Sequence, residues 1–214
     1  MLFKNINYLL RKRQAQQLGA SQFRSLDPES LWTLIESLGV PFERLNTVDL
    51  ERSDEHLRNG TIKLLVLDVD GVFTEGGMYY NSEGQEMKRF NVKDGLGIQL
   101  AMKAGVEIGI ISAALRSEVT AHRAQMLGIK RIYIGVRPKL EVLNEWLKEM
   151  RLDLNHVAYI GDDINDLPIL EKVGFSASPQ DAHSKVKAVV NVVLSTKGGE
   201  GCIREFIDHY IILN

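Results

Sequence analysis

Short apolar runs alternate with helical segments from residue 62 onward, and this alternation constrains the fold more than any other feature. The helical segments are residues 95–105, 116–128, 138–150 and 165–174. Alternating strands and helices form α/β folds with a mainly parallel sheet and helices on both faces. We therefore predict a Rossmann-like α/β fold. Its predicted strands are "IKLLVLD" (62–68), "VEIGIIS" (106–112), "RIYIG" (131–135), "VAYIGD" (157–162) and "KAVVNVVL" (187–194).

One segment departs from this alternation. Residues 77–90, "GMYYNSEGQEMKRF", alternate weakly about a turn and predict a β-hairpin directly after the first strand. The gap after the first strand holds this hairpin and one helix, and the gap after the second strand holds a helix and a strand. Neither gap is long enough for an additional domain with its own core.

The first sixty residues have a different character. Residues 27–38 predict a helix with Asp27 as N-cap, Pro28 in the first turn and Gly39 after its end. Residues 40–61 are predicted as a polar linker. We therefore divide the chain into an N-terminal helical extension and linker (1–60) and an α/β domain (61–214).

The first 24 residues are basic and contain no acidic residue. A helix with a solvated basic face is the favoured interpretation, and a transit-like or anion-facing amphipathic helix is the alternative. The basic residues are Lys4, Arg11, Lys12, Arg13 and Arg24.

Two aspartates follow the first predicted strand. Asp68 and Asp70 stand in "VLDVDGVFTEG", and both carboxylates would point to one face if the strand ran through them. Ligands of open parallel sheets bind at the carboxyl ends of strands, and two like charges there require a cation or a shared proton. A hard, oxygen-preferring ion such as Mg²⁺ fits best. Taken alone, the pair could also be fortuitous or a turn cap.

Further strand ends carry residues suited to phosphate chemistry. Asp162, Asp163 and Asp166 follow "VAYI", Ser112 ends "GIIS", and Lys139 begins a predicted helix. A hydroxyl, an ammonium and a divalent cation around a carboxylate form a phosphate site. Taken alone, Ser112 would be interpreted as a helix N-cap and Lys139 as a surface lysine.

The order "DVDGV", a strand ending in Ser, a helix-opening Lys and "GDDIND" resembles the four motifs of the haloacid dehalogenase superfamily of phosphatases. The resemblance implies that Asp68 is the nucleophile that forms an aspartyl-phosphate and that Asp70 is the general acid and base. It also implies that Ser112 and Lys139 hold the phosphoryl group.

The same resemblance implies a Mg²⁺ cofactor. Its expected ligands are Asp68, the backbone carbonyl of Asp70, and Asp162. Asp163 and Asp166 are expected to support the metal site or Lys139.

Residues 61 to 213 resemble the capless, tetrameric branch of this superfamily, which includes 3-deoxy-D-manno-octulosonate 8-phosphate phosphatases and nonulosonate 9-phosphate phosphatases. The resemblance implies a homotetramer in which a neighbouring subunit helps to enclose the site. It also implies a small phosphorylated sugar acid as substrate. Cations at the mouth of the site would suit the carboxylate of such a substrate. The residues expected at the substrate mouth are Lys88, Arg89 and Asp94, and Arg204 is expected to contact the substrate or a neighbouring subunit. All four could also be ordinary surface charges.

The chain departs from this branch after the second motif. It has "SAALR" (112–116) where the octulosonate enzymes have Thr-Gly-Arg and the nonulosonate enzymes have Thr-Gly-Glu. Ala114 therefore stands in place of a charged side chain, and Arg116 is a candidate substitute. The octulosonate 8-phosphate is slightly favoured over a nonulosonate 9-phosphate. A non-catalytic oligomerisation module and a phosphoprotein phosphatase are the alternatives from other classes.

Composition excludes several other classes. The formal net charge of -2 argues against nucleic-acid binding, and the single cysteine cannot form an internal disulfide. No apolar segment has the length of a membrane span. We expect a cytoplasmic protein.

Overall fold

A six-stranded parallel sheet forms the centre of the chain. The computed structural model describes residues 1–40, 42–47, 50–51, 62–115 and 118–212. The sheet order is β5-β4-β1-β6-β7-β8, and β2 and β3 form a separate antiparallel hairpin. The strands of the described residues are β1 (Leu64–Leu67), β2 (Tyr79–Tyr80), β3 (Glu86–Met87), β4 (Glu107–Ser112), β5 (Arg131–Ile134), β6 (Val157–Ile160), β7 (Phe175–Ser178) and β8 (Val192–Val193).

Helices cover both faces of the sheet, as predicted. Ile98, Cys202 and Phe206 pack on one face, and Val142 and Val186 pack on the other. A π-helical turn (Ile207–Ile211) and two 3₁₀ turns (Leu154–His156 and Ile164–Asp166) complete the described elements. The α-helices are α1 (Leu2–Lys12), α2 (Ala20–Ser25), α3 (Pro28–Leu38), α4 (Phe42–Thr47), α5 (Val92–Lys103), α6 (Glu118–Leu127), α7 (Lys139–Met150), α8 (Leu167–Leu170), α9 (Ser184–Val189) and α10 (Cys202–Phe206).

Strand β1 lies in the middle of the sheet and brings three strand ends together. All four of its side chains are buried, as expected for a parallel strand covered on both faces. In the register, Leu67 pairs with Ile110 of β4 and with Ile160 of β6. The residues at the ends of these three strands therefore meet at one edge of the sheet, which is where Asp68, Ser112 and Asp162 lie.

The N-terminal helices pack around a small core of their own. Ile6, Ile35 and Leu45 are buried in it. Asp27 caps α3 by accepting a hydrogen bond from the Ser30 backbone N–H (2.9 Å), as predicted. Helix α4 lies against α9.

The linker prediction for residues 40–61 is wrong at residues 42–47, which form α4. Burial of Leu45 explains why a segment rich in polar residues folds there. Residues 52–61, and with them the predicted boundary at residue 60, lie outside the described residues, so the two-part division stays a prediction.

The basic residues of α1 have partners within the N-terminal helices. Arg11 and Lys4 form ion pairs with Glu51, and Arg13 donates hydrogen bonds to two carbonyl oxygens at the end of α3 (2.8 Å each). These contacts favour a structural role over an anion-facing one. Across the described ranges, no helix combines the length and apolarity needed to cross a bilayer.

Three elements in the last third of the chain differ from the predictions. Residues 187–189 belong to α9, so the strand predicted over 187–194 is reduced to β8. Strand β7 was not predicted, because "FSAS" contains only one residue of high β-propensity. The helix predicted over 165–174 is limited to α8.

Candidate active site

Asp68 lies at the carboxyl edge of the sheet, directly after β1. Its backbone N–H donates to the carbonyl oxygen of Ile160 (3.0 Å), which fixes it beside β6. The strand ends at Leu67, so it does not run through both aspartates, and the condition for the predicted same-face convergence is not met. Asp70 instead belongs to a tight turn that contains Gly71 at φ +92°.

Lys139 connects two carboxylates at this edge. Its Nζ lies 2.8 Å from Oδ1 of Asp68 and 2.7 Å from Oδ1 of Asp166. All three residues are buried, with at most 6% of their surface exposed. Burial alone would lower the pKa of Lys139, but the adjacent carboxylates of Asp68 and Asp166 outweigh burial and raise this pKa. The lysine is therefore a fixed cation beside the predicted nucleophile.

Asp166 accepts four hydrogen bonds, one of which comes from this lysine. Its Oδ2 accepts from the backbone N–H groups of Asp162 (3.1 Å) and Asp163 (3.4 Å). Its Oδ1 accepts from Lys139 and from the hydroxyl of Tyr159 (2.6 Å). Both oxygens are thus occupied, which favours support of Lys139 over direct metal ligation.

Tyr159 was not among the predicted site residues. It lies on β6 with no exposed surface, and the sequence presents it only as an apolar strand residue. Burial, followed by the negative charges of Asp166 and Asp68, raises the pKa of Tyr159 far above its usual value. Its hydroxyl therefore keeps its proton and donates.

Asp68, Asp162 and Asp166 each offer an oxygen atom, and these atoms lie within 4.8 Å of one another. Oδ1 of Asp162 is buried and accepts no hydrogen bond from the described residues. Burial and the charges of neighbouring aspartates raise the pKa of both Asp68 and Asp162. Hard divalent cations bind carboxylate oxygens, and a bound cation would offset the repulsion between these aspartates. Because Asp166 is occupied, Asp68 and Asp162 are the residues that fit such an ion.

Gly71 permits the close approach of the first and last motifs. A Cβ atom at this position would lie 2.1 Å from Oδ2 of Asp162. A Cβ atom at Gly198 would lie 1.9 Å from the carbonyl oxygen of Gly71, so a second glycine covers the same turn. The backbone at Gly71 must therefore remain free of a side chain for the acidic cluster to form.

Ser112 and Asp163 lie at the same edge without joining the ion-pair network. Ser112 ends β4, is 2% exposed, and its Oγ accepts from the backbone N–H of Ala114 (3.2 Å). Asp163 is exposed and accepts from the backbone N–H of Ile164 (2.7 Å). Their predicted roles, in phosphoryl binding and metal support, stay predictions.

Asp70 faces the hairpin. Its carboxylate, 41% exposed, forms an ion pair with Lys88, whose side chain is only 2% exposed and also lies 3.4 Å from Glu86. A cavity of about 1070 Å³ opens beside this pair. Its lining includes Asp70, Tyr80, Met87, Lys88, Ala114 and Leu115. Arg116, the candidate substitute for the missing charged side chain, lies outside the described residues.

The other three predicted substrate residues make contacts other than this ion pair. Arg89 contacts Glu75 (3.3 Å), and the guanidinium of Arg204 pairs with Asp208 (2.7 Å). Their contact with substrate stays a prediction.

Asp94 has no exposed surface, and its Oδ1 accepts from the backbone N–H of Arg204 (2.8 Å) in α10. Burial raises the pKa of Asp94 to about 6. Asp94 therefore packs between α5 and α10, and its contact with substrate stays a prediction.

Known proteins are similar to this chain in sequence and in architecture. Residues 107–206 match the family model of haloacid dehalogenase-like hydrolases. The 3-deoxy-D-manno-octulosonate 8-phosphate phosphatase KdsC of Escherichia coli (strain K12) is 39% identical over 147 residues, which cover 69% of this chain and 78% of the relative.

Solved structures agree with this relationship. The 3-deoxy-D-manno-octulosonate 8-phosphate phosphatase from Moraxella catarrhalis, in complex with magnesium ion, phosphate ion and KDO, superposes with a TM-score of 0.68 at 37% identity, over 72% of this chain and 89% of that chain. The enzyme of the same name from Yersinia pestis has a TM-score of 0.69 at 36% identity, over 74% and 82% of the two chains. Together with the buried Asp68–Lys139–Asp166 network, these relationships show that the chain belongs to the haloacid dehalogenase-like hydrolases and is a phosphoric monoester hydrolase.

Proposed function

We propose that the chain is a Mg²⁺-dependent phosphatase acting on a 3-deoxy-2-keto sugar acid phosphate, with 3-deoxy-D-manno-octulosonate 8-phosphate favoured. One observation carries this proposal. The buried carboxylate of Asp68 forms an ion pair with Lys139 and lies beside Asp162. Oδ1 of Asp162 is buried and accepts no hydrogen bond from the described residues. This arrangement suits a nucleophile next to a site for a cation and a phosphoryl group.

In the proposed reaction, Asp68 attacks the phosphorus atom and forms an aspartyl-phosphate while the bond to the sugar oxygen breaks. Asp70 gives a proton to that leaving oxygen. It then takes a proton from the water that attacks the phosphorus atom, which releases inorganic phosphate and restores the carboxylate of Asp68. Lys139 and Ser112 hold the phosphoryl oxygens during both steps.

The proposed ligands of Mg²⁺ are Asp68, Asp162 and the backbone carbonyl of Asp70. When bound, the ion offsets the repulsion between the carboxylate and the anionic phosphate. Asp166 keeps Lys139 in place, and Asp163 supports the neighbouring turn.

The choice of substrate follows the relatives, whose names specify 3-deoxy-D-manno-octulosonate 8-phosphate. The cavity beside Asp70 supplies space for the sugar, and Lys88 supplies a cation for its carboxylate. Ala114 and Leu115 line the same cavity, so the departure from the Thr-Gly-Arg pattern lies where the leaving group would bind. A nonulosonate 9-phosphate is therefore the competing substrate to test.

We also propose a homotetramer. The hairpin exposes at least half of the surface of Met78, Tyr79, Tyr80 and Met87. Contiguous exposed apolar side chains of this kind are typical of an interface, and other copies of the chain could cover them. Native mass spectrometry measures this directly, and a monomer would contradict it.

The function is tested by phosphate release from octulosonate 8-phosphate and a nonulosonate 9-phosphate, with Mg²⁺ and with a chelator. We expect release that requires the metal and disappears in Asp68→Asn. Asp153→Asn is the matched control, because Asp153 precedes β6 at the opposite edge of the sheet, where its carboxylate caps a 3₁₀ turn and contacts His156. Full activity of Asp68→Asn would exclude Asp68 as the nucleophile. A tetramer without turnover of either substrate would favour a non-catalytic module.

A further inference from the structure

Tyr159 places a hydroxyl group inside the core of the sheet. The residue lies on β6, in register with Val66 of β1, and has no exposed surface. Its ring packs in the apolar cluster that includes Val142 and Ile169. A phenylalanine ring would fill this space without the cost of burying a hydroxyl. The hydroxyl therefore requires an explanation other than packing.

The hydroxyl reaches the carboxylate that positions the catalytic lysine. It donates to Oδ1 of Asp166 at 2.6 Å, and Lys139 donates to the same oxygen at 2.7 Å. The same ammonium lies 2.8 Å from Oδ1 of Asp68. An uninterrupted series of contacts thus runs from Tyr159 to the proposed nucleophile.

The hydroxyl of Tyr159 is one of two donors to Oδ1 of Asp166. Its Oδ2 is fixed by the backbone N–H groups of Asp162 and Asp163, at 3.1 and 3.4 Å. Its Oδ1 would otherwise be held only by the ammonium of Lys139, a group on a flexible stem whose donors rotate. The tyrosine hydroxyl comes from a buried strand and supplies a rigid donor.

We propose that Tyr159 is a positioning residue for phosphoryl transfer, whose hydroxyl fixes Asp166 and thereby holds the ammonium of Lys139 against Asp68. This inference rests on the proposed function of the same site. Tyr159 does not touch the substrate, because the ring is enclosed on all sides. Loss of its hydroxyl should therefore lower kcat, since displacing a catalytic group by about 1 Å can lower the rate up to about a hundredfold.

The test is Tyr159→Phe in the full-length chain, with Tyr8→Phe as matched control. Tyr8 is also a buried tyrosine, but it belongs to the N-terminal helices. For Tyr159→Phe we expect kcat to fall about tenfold, as for the loss of one hydrogen bond to a charged group, with KM changed less than about twofold. Tyr8→Phe should retain the wild-type kcat. An unchanged kcat in Tyr159→Phe, or a lower melting temperature with normal kcat per folded molecule, would overturn the proposal.

Asp166→Asn adds a second criterion. It removes the negative charge shared by Lys139 and Tyr159, so its loss of kcat should exceed that of Tyr159→Phe. A smaller loss in Asp166→Asn would mean that Tyr159 does not act through Asp166.

Crystal structures of the wild type and of Tyr159→Phe separate this inference from the proposed function. The distance from Lys139 Nζ to Asp68 Oδ1 can be measured even if the wild type releases no phosphate from the sugar acids. We expect a displacement of about 0.5 Å or more in the variant, the tolerance within which catalytic groups must be held. An unchanged distance would overturn the positioning role, whereas an inactive wild type would contradict the proposed function alone.

Discussion

Gly71 is the residue on which the acidic cluster most directly depends. It stands between Asp70 and the rest of the turn at φ +92°, and Oδ2 of Asp162 occupies the position that a Cβ atom would take. The first and last motifs therefore meet through a backbone without a side chain. An added methyl group would have to displace Asp162, one of the two carboxylates that fit a metal ion.

Gly71→Ala is therefore expected to lower Mg²⁺-dependent phosphatase activity by at least about a hundredfold, because a metal ligand would be displaced. Gly105→Ala is the matched control, since Gly105 also has a positive φ (+87°), has no atom within 4 Å of the added Cβ, and precedes β4 at the opposite edge of the sheet. It should cost about 1 kcal/mol of stability from backbone strain and leave kcat intact. Equal activity of the two variants, measured by phosphate release, would contradict the role of Gly71.

At the level of single residues, the sequence predicts where the chemistry lies but not how each side chain is held. Asp68, Lys139 and Asp162 follow from their positions at strand ends and strand-to-helix turns. The partner of Asp70 does not, because β1 stops at Leu67 and the turn directs Asp70 toward Lys88 of the hairpin. Such a contact, eighteen residues apart, has no local signature.

Among the elements, the hairpin connects the turn that contains Asp70 to the cavity. Lys88 follows β3 and lies almost fully buried between Asp70 and Glu86. A buried ammonium between two carboxylates is held in one orientation, and its removal leaves them without their cation. The hairpin is thus part of the site although it belongs to a different sheet.

Lys88→Gln is expected to lower kcat/KM for the sugar acid phosphate by about tenfold or more, because it removes a charged partner of Asp70 and a proposed contact to the substrate carboxylate. Lys103→Gln, an exposed lysine in the last turn of α5, is the matched control and should behave as the wild type. Steady-state kinetics measure kcat/KM for both variants. A wild-type kcat/KM in Lys88→Gln would contradict a role of Lys88 in activity.

Prediction of elements succeeds where the pattern is strong and fails where tertiary packing decides. Strands β1, β4, β5 and β6 are apolar and rich in β-branched or leucine residues, so they are predicted within two residues of their bounds. Residues 187–189 have a similar composition, but they complete a helix that begins after His183, whose side chain accepts from the Lys185 backbone N–H. Local composition cannot reveal that capping contact.

For the whole molecule, the acidic cluster couples stability to pH and to metal. Burial and neighbouring aspartates raise the pKa of Asp68 and of Asp162 above the ordinary value of 3.8. The folded chain without metal therefore retains protons that the unfolded chain has released. This contribution to stability is complete below about pH 4 and is lost as the pH rises through the raised pKa values.

A divalent cation reverses this trend, because it binds the ionised carboxylates. We expect Mg²⁺ to raise the melting temperature more at pH 8 than at pH 5.5, as measured by thermal unfolding at fixed ionic strength. Asp162→Asn should abolish most of the difference, whereas Asp153→Asn should retain it. A Mg²⁺ effect that is equal at both pH values would contradict metal binding at this cluster.

The whole architecture, an α/β sheet with a hairpin in place of a cap, is predicted because alternation and gap length are global features of the sequence. The packing of the N-terminal helices is not, since α4 lies in a segment that looks like a polar linker and contacts α9 from a distant part of the chain. The relatives match about seven-tenths of this chain, so they leave part of it without a counterpart.

The proposed mechanism requires that Asp68 becomes phosphorylated during turnover. The most direct measurement is mass spectrometry of the acid-quenched chain after brief mixing with octulosonate 8-phosphate and Mg²⁺, using the wild type and Asp70→Asn. The proposed mechanism predicts the added mass of one phosphoryl group on the peptide that contains Asp68, and slower gain and slower loss of that group in Asp70→Asn, because Asp70 acts in both steps. Phosphate release from the wild type without any phosphorylated Asp68 peptide in either protein would contradict it.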